Sequence, residues 1–345
     1  MRATIRDLAS LSGLSTSTVS RVLTDNAHVS KAAREKVEQA IRQTGYVPNG
    51  LARGLVQKRR DLIAVIVPDG YNPYYDDIQL GIHQEASQNG FDVITISEGD
   101  HSCIRTVKKI IEIGIDGVLH LGALESDDVI PLLVQNDMPF VLLCRQLSTI
   151  EADTVLFNDY EAAFSATEHL IMLGHRNIAY ICGRRNSLSS LEKYRGYAGA
   201  LAKHGIAVNA ALVGWGQLDM QSSYRVMNEF LDARASGCLS FTAVVAGNDM
   251  MGFGAREAIL ERGLSIPDDL SLVSMDDISW SAIQGVEMTS VRVPRLEMGR
   301  IACQLLLKRI AQPERKHEVH ILDTQLSIRK SCCPPKEQKE RSLPM

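Results

Sequence analysis

Apolar residues near the start of the chain recur at helical spacing in three short runs: Ile5, Leu8 and Ala9; Val19, Val22 and Leu23; then Ala33, Val37, Ala40 and Ile41. Gly13 separates the first two and supplies the permissive backbone that a tight turn needs. Thr4 with Asp7 at the third position reads as a capping box, and Ser15 and Ser30 stand where helix caps belong. Three amphipathic helices closing on one another predict an all-α unit, the first two forming a helix-turn-helix. On the second helix Ser17 and Arg21 lie opposite the apolar stripe, with Thr16 at its tip.

From Asp61 onward the period changes. Short β-branched runs at Leu62–Val67, Phe91–Ile96, Gly117–Leu121 and Phe140–Leu143 alternate with helical periods, and Ile178–Cys182, Thr242–Ala246 and Leu270–Ser274 repeat the alternation. Such alternation predicts parallel sheets covered by helices on both faces, and two sets of it predict two lobes. Ligands of such sheets sit outside the carboxyl ends of the strands, so strand-exit residues become the candidates.

Charge sharpens the division. Residues 1–60 carry eleven Lys/Arg against four Asp/Glu, a balance of +7, whereas the remaining residues carry 26 against 37, or −11. A positive field confined to one small helical unit suits a polyphosphate partner. The 345 residues, 45% of them apolar, suffice for two or three folding units. No run approaches the roughly 18 apolar residues of a membrane span, and the chain opens into a capped polar helix rather than an export signal, so the expectation is a soluble, cytoplasmic protein. Seven scattered cysteines without Cys-x-x-Cys spacing read as reduced thiols, and no metal or cofactor is expected.

In the second helix Arg21 has the fork that binds guanine O6 and N7, and Thr16 and Ser17 are short adaptable partners, so base reading in the major groove is assigned to these three. The same hydroxyls also suit ordinary helix-start chemistry, and Arg21 also suits a phosphate. Thr4, Ser15, Asn26, His28, Ser30 and Arg34 are candidates for contacts to the DNA backbone, which set register without carrying sequence information.

The runs Ser15-Thr16-Ser17-Thr18-Val19-Ser20-Arg21-Val22-Leu23, His28-Val29-Ser30 and Gly45-Tyr46-Val47-Pro48-Asn49 resemble the lactose/galactose repressor (LacI/GalR) family, and the likeness continues to about residue 330. It implies a DNA-binding domain over 1–46, a hinge helix and linker over 47–60, an effector-binding and dimerisation core over 61–330, and a disordered tail over 331–345. Within the core, lobe 1 takes about 61–157 and 293–322, and lobe 2 about 158–292 and 323–330. The hinge would place Asn49, Ala52, Arg53 and Leu55 at the minor groove, Leu55 matching a leucine that wedges between central base pairs; a buried linker contact is its alternative. Gly50 and Gly54 each cost about 1 kcal/mol of helix stability relative to Ala, so this hinge is expected to fold only on DNA.

The family's core resembles periplasmic sugar-binding proteins. Its motifs recur as Asn72-Pro73-Tyr74-Tyr75, Leu173-Gly174-His175-Arg176, Arg195-Gly196-Tyr197, Gly247-Asn248-Asp249 and Met275-Asp276-Asp277. The resemblance puts Asp69, Tyr71, Tyr74, Arg145, Lys193, Asn248 and Asp276 in an effector pocket for a sugar, sugar acid or nucleoside. Tyr74 also fits a helix start or a core, Asn248 a cap, and Asp276 a turn. Cys144-Arg145 stands where many members have Asp-Arg, and Lys193 where many have Arg. The first change removes a carboxylate and leaves the cation, the second replaces a planar fork by a point charge, and together they suit an anionic ligand. The implied function is a repressor that reads a pseudo-palindromic double-stranded operator as a homodimer, released by effector in the commoner family behaviour. Pro334, Pro335 and the charged run after Ser331 would stop any tetramerising helix.

A transport-type solute receptor shares a two-lobed core but has no use for residues 1–60. An enzyme reading lacks a Gly-x-Gly-x-x-Gly turn after a strand, a Gly-Lys-Ser/Thr phosphate loop and a metal-spaced His/Cys cluster.

Overall fold

The computed structural model describes residues 3–23, 29–46, 60–68, 70–98 and 102–336. Two compact units divide at Arg60/Asp61. The first contains α1 (Ile5–Ser12), α2 (Thr16–Leu23) and α3 (Lys31–Thr44). Leu8, Val19, Val22, Val37 and Ala40 are buried at their common centre, the residues that the helical period singles out. The caps also form: Asp7 accepts from the Thr4 backbone N–H at 2.7 Å and the Thr4 hydroxyl at 2.8 Å. Ser15 Oγ accepts from Thr18 N at 3.1 Å, and Ser30 Oγ from Ala33 N at 3.3 Å. Gly13 takes φ +67°, ending α1 in the left-handed region. The hinge expected over 47–60 lies, apart from Arg60, outside the described residues.

The second unit contains two six-stranded sheets. In the first, β1 (Leu62–Pro68), β2 (Asp92–Glu98), β3 (Gly117–Leu121), β4 (Phe140–Leu143), β5 (Asp153–Phe157) and β11 (Val319–Leu322) run parallel in the order β11-β5-β4-β3-β1-β2. In the second, β6 (Ile178–Cys182), β7 (Val213–Trp215), β8 (Ala243–Ala246), β9 (Ser271–Asp276) and β10 (Thr289–Arg292) are parallel, and β12 (Gln325–Ser327) closes the edge antiparallel to β10, in the order β12-β10-β9-β8-β6-β7. Between and around them run α4 (Tyr74–Gln88), α5 (Ser102–Ile113), α6 (Val129–Gln135), α7 (Asp159–Met172), α8 (Leu188–Lys203), α9 (Met220–Ala235), α10 (Asp249–Glu261) and α11 (Arg295–Ala311). The chain passes between the lobes after β5, after β10 and after β11.

The central strands β3, β6, β8 and β9 are buried along their whole length, as parallel strands covered on both faces must be. The hydrophobic runs therefore find the central strands well. The pattern misses β5, β7, β10, β11 and β12, which are three to five residues long. Helices α4 and α11 cross at near backbone contact: a Cβ on Gly81 would lie 2.1 Å from the Leu296 carbonyl oxygen, and one on Gly299 2.1 Å from that of Ile78.

One expected boundary moves. Ser331 is buried rather than the start of a disordered tail: its Oγ accepts from Thr289 N at 2.8 Å and donates to the Leu272 carbonyl at 2.5 Å. Cys333 N donates to Ser271 Oγ at 3.0 Å, and the Cys333 carbonyl accepts from the buried His175 Nε2 at 2.9 Å. The segment ahead of Pro334 and Pro335 satisfies backbone groups on the second sheet, which composition alone does not reveal. Residues 337–345 lie outside the described residues.

Candidate functional site

On the helical unit, Val19 and Val22 turn into the core and leave Thr16, Ser17 and Arg21 on the exposed face of α2. The Ser15 hydroxyl lies 2.8 Å from those of both Ser17 and Thr18, which orders the first turn. Thr4, Ser15 and Ser30 are exposed at helix starts and Arg34 is half-buried on α3. Asn26, His28, Asn49, Ala52, Arg53 and Leu55 lie outside the described residues.

In the core, a cavity of about 510 Å³ opens between the lobes, and strand exits build it. From lobe 1 come Gly70, Tyr71 and Tyr75 beyond β1, Glu98 at the end of β2, Gly122 after β3 and Arg145 after β4; from lobe 2 come Arg184 after β6, Gln217 and Leu218 after β7 and Met250 after β8. Several exits are conformationally special. Cys144, Leu218, Asp276 and Asp277 all have positive φ, between 52° and 118°, a strained region for residues with a side chain that clusters at functional sites.

The residues singled out from the sequence divide sharply. Tyr71 is 73% exposed on the cavity rim, its ring 5.6 Å from that of Trp280 in lobe 2, and Arg145 also faces the cavity. The aromatic pair Tyr74-Tyr75 is offset by one position from the expectation. Tyr75 lines the cavity, whereas Tyr74 is buried, its hydroxyl 3.5 Å from Cys144 Sγ and its ring edge-on to Tyr75. Tyr74 begins α4, and the helix turns that position toward the sheet. Burial pushes the Cys144 thiol up to about 12 and the Tyr74 hydroxyl well above its ordinary range, so both stay neutral.

Lys193, Asn248 and Asp276 do not line the cavity. Lys193 Nζ donates to the Gly247 carbonyl at 3.0 Å and lies 3.6 Å from Asp159 Oδ1. Asn248 caps α10: its Oδ1 accepts from Met251 N at 2.8 Å and its Nδ2 donates to the Leu218 carbonyl at 3.2 Å. Asp276 is buried, and desolvation, opposed chiefly by Lys193, lifts its carboxyl to about 7. These three shape the lobe 2 wall from behind. Asp69 lies outside the described residues.

Arg184 is the cavity residue that sequence reasoning missed. Its Nε is buried without a hydrogen-bond partner among the described residues, although the side chain borders the cavity. Its signal was its place, just beyond a strand end. Arg295 forms the joint behind the cavity. Its guanidinium donates to the Asp77 carboxylate of α4 at 2.8 and 3.1 Å, to the Asp277 carbonyl at 3.0 Å and to the Asp276 carbonyl, tying lobe 1 to the lobe 2 strand exit.

A helix-turn-helix unit and a two-lobed core with a cleft at the strand exits together define a DNA-binding regulator with a small-molecule sensor. Comparison with known proteins agrees. Residues 4–49 match the family described as bacterial regulatory proteins, lacI family, and residues 60–330 match periplasmic binding proteins and sugar binding domain of LacI family. The chain is 33% identical to the HTH-type transcriptional regulator CelR of Thermobifida fusca, over 96% of this chain and 98% of that protein, and 30% identical to catabolite control protein A of Priestia megaterium, over 89% and 92%. A solved lac repressor dimer bound to operator and the anti-inducer ONPF superposes with a TM-score of 0.84 at 27% identity, over 96% of this chain and 100% of that one. The chain belongs to the LacI family and is a DNA-binding transcriptional regulator. No helix among the described residues is long and apolar enough to cross a membrane.

Proposed function

We propose that this regulator is a homodimeric, cytoplasmic repressor of a pseudo-palindromic operator, and that a polyhydroxylated anion, a sugar acid or sugar phosphate, is its effector. The observation that carries the effector class is the pair of guanidinium groups bordering one cavity, Arg145 from lobe 1 and Arg184 from lobe 2, with an unpaired buried Nε on Arg184. A guanidinium fork matches carboxylate and phosphate oxygens in two bonds at once. Tyr71 and Tyr75 offer faces for the apolar side of a ring. Asp276 and Asn248 are buried behind the cavity wall, and Asn248 is engaged as the α10 cap.

Effector bridging the two arginines favours a closed arrangement of the lobes. The Tyr71–Trp280 contact and the Arg295 joint cross between the same lobes and would register the change. Through the hinge this alters operator affinity, and the coupling is reciprocal. Thr16, Ser17 and Arg21 read bases, while Thr4, Ser15, Asn26, His28, Ser30 and Arg34 hold phosphates, and Leu55 with Asn49, Ala52 and Arg53 engages the minor groove. A related solved structure, a CelR–cellobiose complex with a TM-score of 0.74 at 31% identity, supports a carbohydrate as effector but holds a neutral one, so the anionic class rests on the two arginines alone. The protein is expected to turn over none of its ligands.

The test is thermal unfolding with neutral sugars, uronates, sugar phosphates and nucleosides, since a ligand of the folded state raises the melting temperature. Stabilisation by an anionic sugar, absent in Arg184→Ala, is expected. Stabilisation by a neutral sugar alone contradicts the anion reading.

A further inference from the structure

One wall of the cavity carries side chains that effector recognition does not use. Glu98 ends β2 and borders the cavity, His120 lies fully buried on β3, and Asp127 reaches in from the loop ahead of α6. One potential ligand atom from each lies within 4.8 Å of the other two.

Asp127 pairs with both neighbours, yet the buried imidazole is only half satisfied. His120 Nε2 lies 2.6 Å from Asp127 Oδ2 in a buried contact, while His120 Nδ1 has no hydrogen-bond partner among the described residues. Asp127 is also held in place: its Oδ1 accepts from Val129 N at 2.9 Å, which leaves Oδ2 turned toward the ring. His120 is fully buried beside Ile66 of β1, and a buried polar atom in such a place needs a partner.

We propose that Glu98, His120 and Asp127 form a binding site for a divalent first-row transition ion of the zinc or manganese class. One imidazole nitrogen with two carboxylate oxygens suits these ions better than the all-oxygen shells of magnesium or calcium. Three atoms mutually within 4.8 Å share a point roughly 2.8 Å or less from each, near zinc–ligand bonds of about 2.0–2.2 Å, and His120 Nε2 and Asp127 Oδ2, now 2.6 Å apart, would part to about 3 Å around an ion. Glu98 on the cavity wall provides the entry path, and three protein ligands leave a position open. The site stands independently of the effector class, because metal uptake is measured without effector or DNA.

Untagged full-length protein, stripped with chelator, is dialysed to equilibrium against zinc chloride and its metal counted by mass spectrometry, with Co²⁺ as a spectroscopic probe. About one zinc per chain and a visible Co²⁺ d–d band are expected, and Glu98→Gln and Asp127→Asn should each weaken uptake at least about tenfold. Melting curves of the metal-free variants establish that they fold. Should Asp127→Asn not fold, Glu98→Gln, at the cavity edge, decides alone. Uptake no higher than that of Glu98→Gln, or a Co²⁺ band unchanged in that variant, overturns the proposal.

Discussion

The two walls of the cleft are built on the same strand-exit plan and use the residues singled out from the sequence in opposite ways. On the lobe 1 wall Tyr71, Tyr75 and Arg145 face the cavity. On the lobe 2 wall Arg184 and Gln217 reach the cavity, but the motif residues sit one layer back and bond to the protein: Lys193 to Gly247 and Asp159, Asn248 to Leu218 and Met251, and Asp249 to four donors. The Asp249 carboxylate accepts from Ile278 N at 2.8 Å, from the Ser281 and Ser290 hydroxyls at 2.6 Å each, and from the Ser274 hydroxyl. A motif residue near a cleft can therefore be a ligand contact or a brace, and only its bonding distinguishes the two roles.

Substitutions that separate bracing from binding can break this contrast. The largest effect is expected at Asp249→Ala, which strands buried hydroxyls and one backbone N–H and should lower unfolding stability by about 3 kcal/mol or more in urea denaturation. A loss within the few tenths typical of a surface site would remove the bracing account. Next comes a matched pair: Lys193→Met should destabilise the fold by about 2–3 kcal/mol, whereas Arg145→Ala should leave the melting temperature nearly unchanged and weaken effector binding by about 10- to 100-fold. Calorimetric titration beside melting curves reads both, and the reverse assignment of effects would invert the contrast.

A smaller effect concerns pH. Burial lifts the Asp276 carboxyl to about 7 in the folded protein, against about 3.9 in an unfolded chain. The folded state thus keeps a proton that the unfolded state loses, so this group's contribution is complete below pH 4 and declines as pH rises through 7. Asp276→Asn should reduce the fall in stability between pH 5 and pH 8 by about 1–2 kcal/mol. Asp159, lifted by burial to about 6, keeps part of the slope in the variant. An unaltered pH slope would show that Asp276 is ionised throughout. The smallest effect is expected at Tyr71→Ala, where loss of a largely exposed ring costs effector affinity about 0.5–1.5 kcal/mol, read in the same titration.

Much of this was legible in the chain. The helical unit followed from period and caps because its five buried core residues are local in sequence and recur at 3.6-residue spacing. The central strands followed because full burial leaves continuous apolar runs. The short strands β5, β7, β10, β11 and β12 did not, since pairing with distant partners, rather than their own pattern, makes them strands. In the cleft, Tyr71 and Arg145 were found, Tyr74 stood one residue from the true lining position, and Arg184 was missed. Which member of Tyr74-Tyr75 faces the cavity depends on the entry angle of α4, and the unpaired Nε of Arg184 appears only once the lobes stand together. The bonding that draws Lys193 and Asn248 inward joins residues 30 to 54 positions apart and leaves no trace in spacing.

The central claim is that occupancy of the cleft sets the grip on DNA. It is tested most directly by fluorescence anisotropy of the best duplex selected from random-sequence DNA, titrated with the protein in the absence and presence of a saturating anionic sugar that raises its melting temperature. Operator affinity is predicted to fall by about 5- to 150-fold with ligand, and the ligand effect to vanish in Arg184→Ala. An affinity identical with the cleft filled and empty would contradict the account.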